Sequence, residues 1–223
     1  MEIQPIAKVT SVFESRFGTP RQPGLVKNAE AYLDFLPPYN DPDAIRGLAG
    51  VTHLWLIFGF HATLAHRWRA TVRPPRLGGN RRLGVFATRS PFRPNRLGLS
   101  VVNLLGIEHQ PVRLKLGGVD LMNETPIYDI KPYLPEIDSH ANAVPPAGFE
   151  LSMPQLPVHW PDGLLAQLKP WLAELIEQTI AADPRPAYHR RRPQQIYGMT
   201  IAGHEVRWQV NDEQALINTV TPL

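Results

Sequence analysis

The stretch Thr52-His53-Leu54-Trp55-Leu56-Ile57-Phe58-Gly59-Phe60 decides the fold class. It is aromatic and branched, and its length suits a buried strand. Working outward, Ile3 to Thr10 reads as a short strand, and Arg67 to Arg73 alternates imperfectly. Leu83 to Ala87, Gly98 to Ile107 and Pro111 to Met122 follow as strands, and Tyr128 to Tyr133 is extended around Pro132. Ala29 to Phe35 and Pro42 to Leu48 are each expected to form a helical turn. Helices of ten or more residues are missing between the strands, so alternating βαβ units are excluded and the expectation is a mainly β protein built on a closed or nearly closed barrel. Arg76-Leu77-Gly78-Gly79-Asn80 lacks the dinucleotide-binding glycine spacing and reads as a hairpin turn.

Asn142 to Pro161 is rich in Pro, Ala and Gly and reads as a linker. Beyond it Asp162 is placed to cap a helix. Leu164, Leu165, Leu168, Leu172, Leu175, Ile176 and Ile180 recur at helical spacing, with Pro170 either kinking that helix or starting a second one. Strands at Ile196 to Ile201 and Glu205 to Val210 follow, joined through Ala202-Gly203. The expected organisation is a barrel over residues 1–142, a linker over 143–161 and a small α+β domain over 162–223.

Composition narrows the chemistry. Among 223 residues there is no cysteine, which excludes disulfides, thiolate metal sites and a cysteine nucleophile. His53, His61 and His66 match no zinc spacing, so no metal is expected. The N-terminus lacks the basic and apolar regions of a signal peptide, and the apolar run Leu54 to Phe60 falls far short of the ~20 residues that span a bilayer, so the expected location is the cytoplasm. The 24 prolines are about twice the usual share of roughly 5% and imply many rigid turns.

Net charge is only +3, yet arginines crowd together. Arg67, Arg69, Arg73, Arg76, Arg81, Arg82, Arg89, Arg93 and Arg96 fall in one segment, and Arg190, Arg191 and Arg192 in another. Such clusters on proline-rich loops suit a polyanion such as nucleic acid, although a solvated basic face has the same composition. The loop Thr88-Arg89-Ser90-Pro91-Phe92-Arg93-Pro94-Asn95 is stiff and rich in donors, and guanidinium forks fit carboxylates and phosphates. Asp120 to Tyr133 brings acids, Lys131 and two tyrosines onto a strand and loop. There Asp129 and Lys131 read equally as ligand groups or as an ion pair holding the loop. Gln22-Pro23-Gly24 reads as a tight turn that lets a ligand approach the backbone.

Taken in order, Pro20-Arg21-Gln22-Pro23-Gly24-Leu25, Arg46-Gly47-Leu48, His53-Leu54-Trp55, Arg73-Pro74-Pro75-Arg76-Leu77-Gly78-Gly79-Asn80, Gly84-Val85-Phe86-Ala87-Thr88-Arg89-Ser90, Arg93-Pro94-Asn95 and Asp129-Ile130-Lys131-Pro132-Tyr133 resemble the TsaA-like family of S-adenosylmethionine-dependent tRNA methyltransferases. The resemblance covers about residues 3–140 and continues in Asp183-Pro184-Arg185-Pro186-Ala187-Tyr188 and Val206-Arg207-Trp208. It implies a barrel methyltransferase without a Rossmann sheet, acting as a homodimer on N6 of threonylcarbamoyladenosine at tRNA position 37.

By the same resemblance, the donor is expected to contact Pro23, Gly24, Leu25, His61, Ala62, Arg89, Leu99, Gly117, Gly118, Val119 and Asp120. Asp129 and Tyr133 are candidates for handling the N6 proton, with Lys131 beside them. Arg93, Asn95, Arg190, Arg191 and Arg192 are candidates for holding the tRNA. Two departures stand out: Arg96 replaces the proline that follows Arg-Pro-Asn, and Asn123-Glu124 replaces Asp-Gly before Thr125-Pro126. The same barrel could also methylate another substrate, or bind the donor without turnover as a sensor.

Overall fold

The computed structural model describes residues 2–63, 67–146, 149, 155–186, 189 and 195–223. The strands are β1 (Ala7–Ser11), β2 (Glu30–Phe35), β3 (His53–Gly59), β4 (Thr71–Val72), β5 (Leu83–Gly84), β6 (Leu97–His109), β7 (Val112–Gly117), β8 (Thr125–Pro132), β9 (Val158–His159), β10 (Tyr197–Ile201), β11 (His204–Asn211) and β12 (Gln214–Pro222). The α-helices among the described residues are α1 (Pro135–Asp138) and α2 (Pro170–Ala181).

Six strands close into a barrel in the order β1-β2-β7-β6-β3-β8, and β8 pairs back onto β1. Every pairing in the barrel is antiparallel. The side-chain period of two fixes what lies inside. Leu54, Leu56 and Phe58 point inward from β3, Leu114 and Leu116 from β7, Ala7 and Val9 from β1, and all are buried. Each large apolar side chain contributes about 1.5–3 kcal/mol on full burial. Barrels of about eight strands are only just wide enough for side chains to fill. A six-stranded interior therefore has no room for a ligand, and binding must occur at a mouth or on the outer wall.

One inward position is a glycine. A Cβ on Gly98 would lie 2.2 Å from the Phe58 ring, its cross-strand partner, so the ring occupies the volume that any other residue would need. Phe58 also meets Phe60 edge-on, with ring centroids 5.1 Å apart.

The strand expected over Gly98 to Ile107 is observed as β6, longer by Leu97, Glu108 and His109. Several readings differ. Pro111 to Met122 is strand only over β7, and Arg67 to Arg73 only over β4. The helical turn expected over Ala29 to Phe35 is strand β2, because Ala31 and Leu33 alternate inward while both neighbours, β1 and β7, offer ladders. Leu83 to Ala87 extends only through Gly84. Val85–Ala87 winds into a 3-10 turn, and the Thr88 hydroxyl bonds the Val85 carbonyl at 2.8 Å. Gly78 and Gly79 lie in the connection between the paired strands β4 and β5, consistent with a hairpin.

A second sheet has the order β10-β11-β12-β9. Its parallel edge, β9, lies inside the segment read as a linker. Asp162 caps no helix; the nearest turn, Leu165–Gln167, is 3-10 and has no side-chain cap. Pro170 starts α2, where its missing N–H costs nothing. Leu172, Leu175, Ile176 and Ile180 are the buried face of α2. Strand β12 escaped the sequence reading because its inward period breaks. The register jumps between Arg207 and Trp208, leaving Asn218 as an extra residue. The two sheets touch where Ala202 N–H donates to the Val12 carbonyl at 2.8 Å and Phe13 bridges to Ile201. No helix among the described residues is long and apolar enough to cross a membrane.

Candidate functional site

One end of the barrel collects most of the expected donor set. There β3 ends at Gly59, β6 begins at Leu97 and β8 begins at Thr125. Strand β7 leaves the ladder at Gly117, and the chain curls over the first half of β6. The Gly24 N–H donates to the Gly118 carbonyl at 2.8 Å. Gly118 has φ 65°, and a Cβ there would sit 3.3 Å from the Gly24 Cα. The Pro23-Gly24 turn and the Gly117-Gly118 corner thus meet backbone to backbone, a contact that side chains would wedge apart.

Asp120 follows this corner. The Ser100 hydroxyl, on the inward phase of β6, donates to its Oδ2 at 3.1 Å. Its Oδ1 is buried and has no hydrogen-bond partner. Burial raises the Asp120 carboxyl to about 6, while the Ser100 bond, its own backbone and the Arg89 guanidinium all pull the other way. An orphaned buried acceptor requires a reason. Here the oxygen lies close to the Arg89 guanidinium and the Gly24–Gly118 contact.

Arg89 is exposed and donates to Gln22 Oε1, so the arginine loop and the Pro23-Gly24 turn are tied. His61 and Ala62 form the turn that follows β3. Burial lowers the His61 imidazole, with Glu124 acting in the opposite sense, so the ring is neutral at pH 7. Leu99 is 53% exposed on the outer wall. Val119 is fully buried, so its side chain belongs to the core. Leu25 is half-buried beneath the turn.

The candidate proton-handling residues lie elsewhere on the wall. Ile57 is paired with Leu99 on one side and with Asp129 on the other. Leu99 and Asp129 are therefore about 10 Å apart, two strand spacings. Lys131 Nζ lies 3.8 Å from Asp129 Oδ2, and both side chains are largely exposed. Asp129 Oδ1 also accepts the Ile130 N–H at 3.0 Å.

Tyr133 lies just past the end of β8, two residues beyond Lys131. It bonds the His53 carbonyl through its N–H at 3.0 Å and packs on Trp55 and His53, at the far end of β3. At ~3.3 Å per residue it lies about 13 Å along the chain from Asp129.

Arg93 donates to the Val85 and Thr88 carbonyls at 3.2 and 2.8 Å, and its guanidinium lies over the Phe86 ring. Much of its fork is committed to shaping its own loop. Asn95 is exposed on that loop. Arg190, Arg191 and Arg192 lie outside the described residues, as does His66. Among the described residues no group of three His, Asp or Glu could hold a metal ion.

Both departures from the family pattern fall where the backbone turns left-handed. Arg96 has φ 49°, which a proline ring forbids, so the loop passes this point on a path that a proline could not follow. Glu124 has φ 62° and pairs with Lys8 at 2.9 Å. Asn123 Oδ1 accepts the Ser11 N–H at 3.1 Å, which anchors the same corner. Ser100 and Gln22 are the site residues that the sequence reading missed. Ser100 could have been found as the one polar residue on the inward phase of an apolar strand.

The tRNA-methyltransferase O N-terminal domain matches residues 8–139, and the TrmO C-terminal domain matches residues 153–223. The chain belongs to the tRNA-methyltransferase O family. It is 43% identical over 222 residues to the tRNA (adenine(37)-N6)-methyltransferase of Escherichia coli, covering 95% of this chain and 94% of that one. It is 44% identical over 212 residues to RcsF of Pseudomonas aeruginosa, a protein named for S-adenosylmethionine-dependent methyl transfer, covering 92% and 91%. The crystal structure of TrmO from Pseudomonas aeruginosa superposes with a TM-score of 0.81 at 35% identity, covering 99% of this chain and 98% of that one. The expectation of a barrel methyltransferase without a Rossmann sheet is borne out.

Proposed function

We propose that this chain methylates N6 of threonylcarbamoyladenosine at position 37 of tRNA, using S-adenosylmethionine. The observation that carries the proposal is the buried, unpartnered Asp120 oxygen, set beside the Gly24–Gly118 contact and Arg89 in a chain of this family. When bound, S-adenosylmethionine supplies a methyl group already activated by its positively charged sulfur. Asp120 would accept a hydroxyl or ammonium hydrogen of the donor. Pro23, Gly24, Leu25, Gly117, Gly118 and the Val119 backbone would flank it, with His61, Ala62, Arg89 and Leu99 around the rim.

Methyl transfer needs alignment more than covalent help. The urea-like N6 is weakly nucleophilic, and a nearby base that takes its proton would assist. Asp129 is the group that geometry favours, being exposed on the wall two strands from Leu99. Lys131 would orient Asp129 or meet the threonyl carboxylate. Tyr133 would serve as a face against the substrate at the far end rather than as a partner in the same transfer.

Arg93, Asn95, Arg190, Arg191 and Arg192 would meet the anticodon loop, whose splayed bases and backbone are the usual targets of RNA recognition. The barrel over 1–142, the linker over 143–161 and the α+β domain over 162–223 are the proposed units, with the second sheet starting at Val158. A homodimer and a cytoplasmic location complete the reading.

The test is transfer of labelled methyl from S-adenosylmethionine to tRNA carrying the threonylcarbamoyl group but lacking the methyl. Label should enter that tRNA and not tRNA without the threonylcarbamoyl group. Equal labelling of both would refute the substrate. Donor binding without labelling of any RNA would mark a sensor.

A further inference from the structure

Residues 12–29 connect β1 to β2 and carry the Pro23-Gly24 turn. The barrel side holds them by backbone bonds at Phe13, Gly24 and Ala29. The C-terminal unit grips them as well, next to the turn. Arg21 Nη2 donates to the carbonyls of Pro184 and Arg185 at 3.0 and 2.6 Å. The Asn28 N–H donates to Gln178 Oε1 of α2 at 3.1 Å. Met199 of β10 presses on Gly18, where a Cβ would lie 3.1 Å from its sulfur.

The carbonyls that Arg21 grips are themselves fixed. Asp183 turns left-handed at φ 46°. Arg185 forks onto its carboxylate at 2.7 and 3.2 Å, and the two side chains are 5% and 1% exposed. A buried bidentate pair is costly to break, so this corner is rigid. On the other side of Arg21, Gln22 accepts a bond from Arg89, the cation whose field acts on Asp120. An unbroken series of polar contacts therefore runs from the buried Asp183–Arg185 pair, through Arg21 and Gln22, to Arg89.

We infer that Arg21 is a positioning residue, through which the Asp183–Arg185 corner of the C-terminal unit holds the Gln22-Pro23-Gly24 turn and Arg89 in register with Asp120. The inference rests on the reading that the methyl donor sits against this turn. It assigns the C-terminal unit a part in donor binding that acts through the Gln22-Pro23-Gly24 turn.

The experiment uses the full chain. Arg21→Met keeps the length and removes the donors, and Arg21→Lys keeps one charged donor. Calorimetry with S-adenosylmethionine should show the Kd raised about tenfold in Arg21→Met and less in Arg21→Lys, with tRNA affinity held within about twofold. Adding Gln22→Ala to Arg21→Met should cost no more than the worse single change, because both cut the same series.

Donor affinity within about twofold of the starting protein in Arg21→Met would overturn the inference, as would parallel losses of donor and tRNA affinity that track a falling urea midpoint. Should Arg21→Met fail to fold, Arg21→Lys is judged by the same two outcomes. Gly118→Val separates the layers: donor affinity unchanged there would refute the mouth as donor site, whatever Arg21 does.

Discussion

Replacing Asp120 by asparagine tests the site at its most unusual atom. Burial holds this carboxyl at about 6, against an ordinary value of 3.8. The folded chain therefore binds this proton more tightly than the unfolded chain between those pH values. The contribution to stability is fully present below pH 3.8, falls as pH rises through 6, and is gone above it. Two pH units at ~1.4 kcal/mol each give a cost of about 3 kcal/mol at pH 7.5, an upper figure because solvent at the mouth screens the charge.

The substituted amide would keep an acceptor for the Ser100 hydroxyl and carry no charge. Urea unfolding of both proteins at pH 4.5, 5.5 and 7.5 should show Asp120→Asn gaining on the starting protein as pH rises, by about 2–3 kcal/mol at the top. Calorimetry at pH 7.5 should show the reverse for S-adenosylmethionine, with weaker binding to the stabilised variant. In the starting protein, donor affinity should decline below pH 6 as the carboxylate is lost. Stability curves that run parallel at all three pH values would refute the buried-carboxylate argument. Unchanged donor affinity in the variant would detach Asp120 from the donor.

Arg89→Ala removes the cation that favours ionised Asp120, so donor binding should weaken and its acidic midpoint should move above 6; an unshifted pH profile would show that Arg89 does not act on Asp120. Gly98→Ala forces a methyl into the Phe58 ring and should cost about 1–3 kcal/mol in urea unfolding, with Phe58→Leu recovering part of it. A neutral Gly98→Ala would mean that the ring can swing clear. Glu124→Gly relieves left-handed strain of ~1–2 kcal/mol but loses the exposed Lys8 pair and adds chain entropy, so stability should stay within about 1 kcal/mol. A loss above about 2 kcal/mol would show that the Lys8 pair fixes the loop before β8.

The amino-acid sequence by itself determined the class of this protein. The aromatic, branched run Thr52 to Phe60 and the strand-like stretches around it, such as Gly98 to Ile107, with no long helix between them, pointed to a β-rich barrel. The ordered blocks from Pro20 to Tyr133 were enough to indicate the family, and the Pro23-Gly24 turn was legible as a place where a ligand can approach the backbone, whereas Gly117-Gly118 was named only through the resemblance. Where a local signal was ambiguous, the reading slipped. Glu30–Phe35 has no strong β signal until β1 and β7 flank it, and the bulge at Asn218 hides β12.

Tertiary structure decided the rest. Closure depends on β8 returning to β1, a pairing between residues more than a hundred positions apart that no local propensity encodes. Other long-range contacts set the site: the corner after β7 folds over β6 and buries Asp120 against Ser100, and the pairing of β3 with both β6 and β8 sets Asp129 two strands from Leu99. Only the docking of the second sheet brings the Pro184 and Arg185 carbonyls to Arg21. Desolvation and hydrogen-bond geometry are properties of neighbours in space, and for this chain those neighbours are distant in sequence.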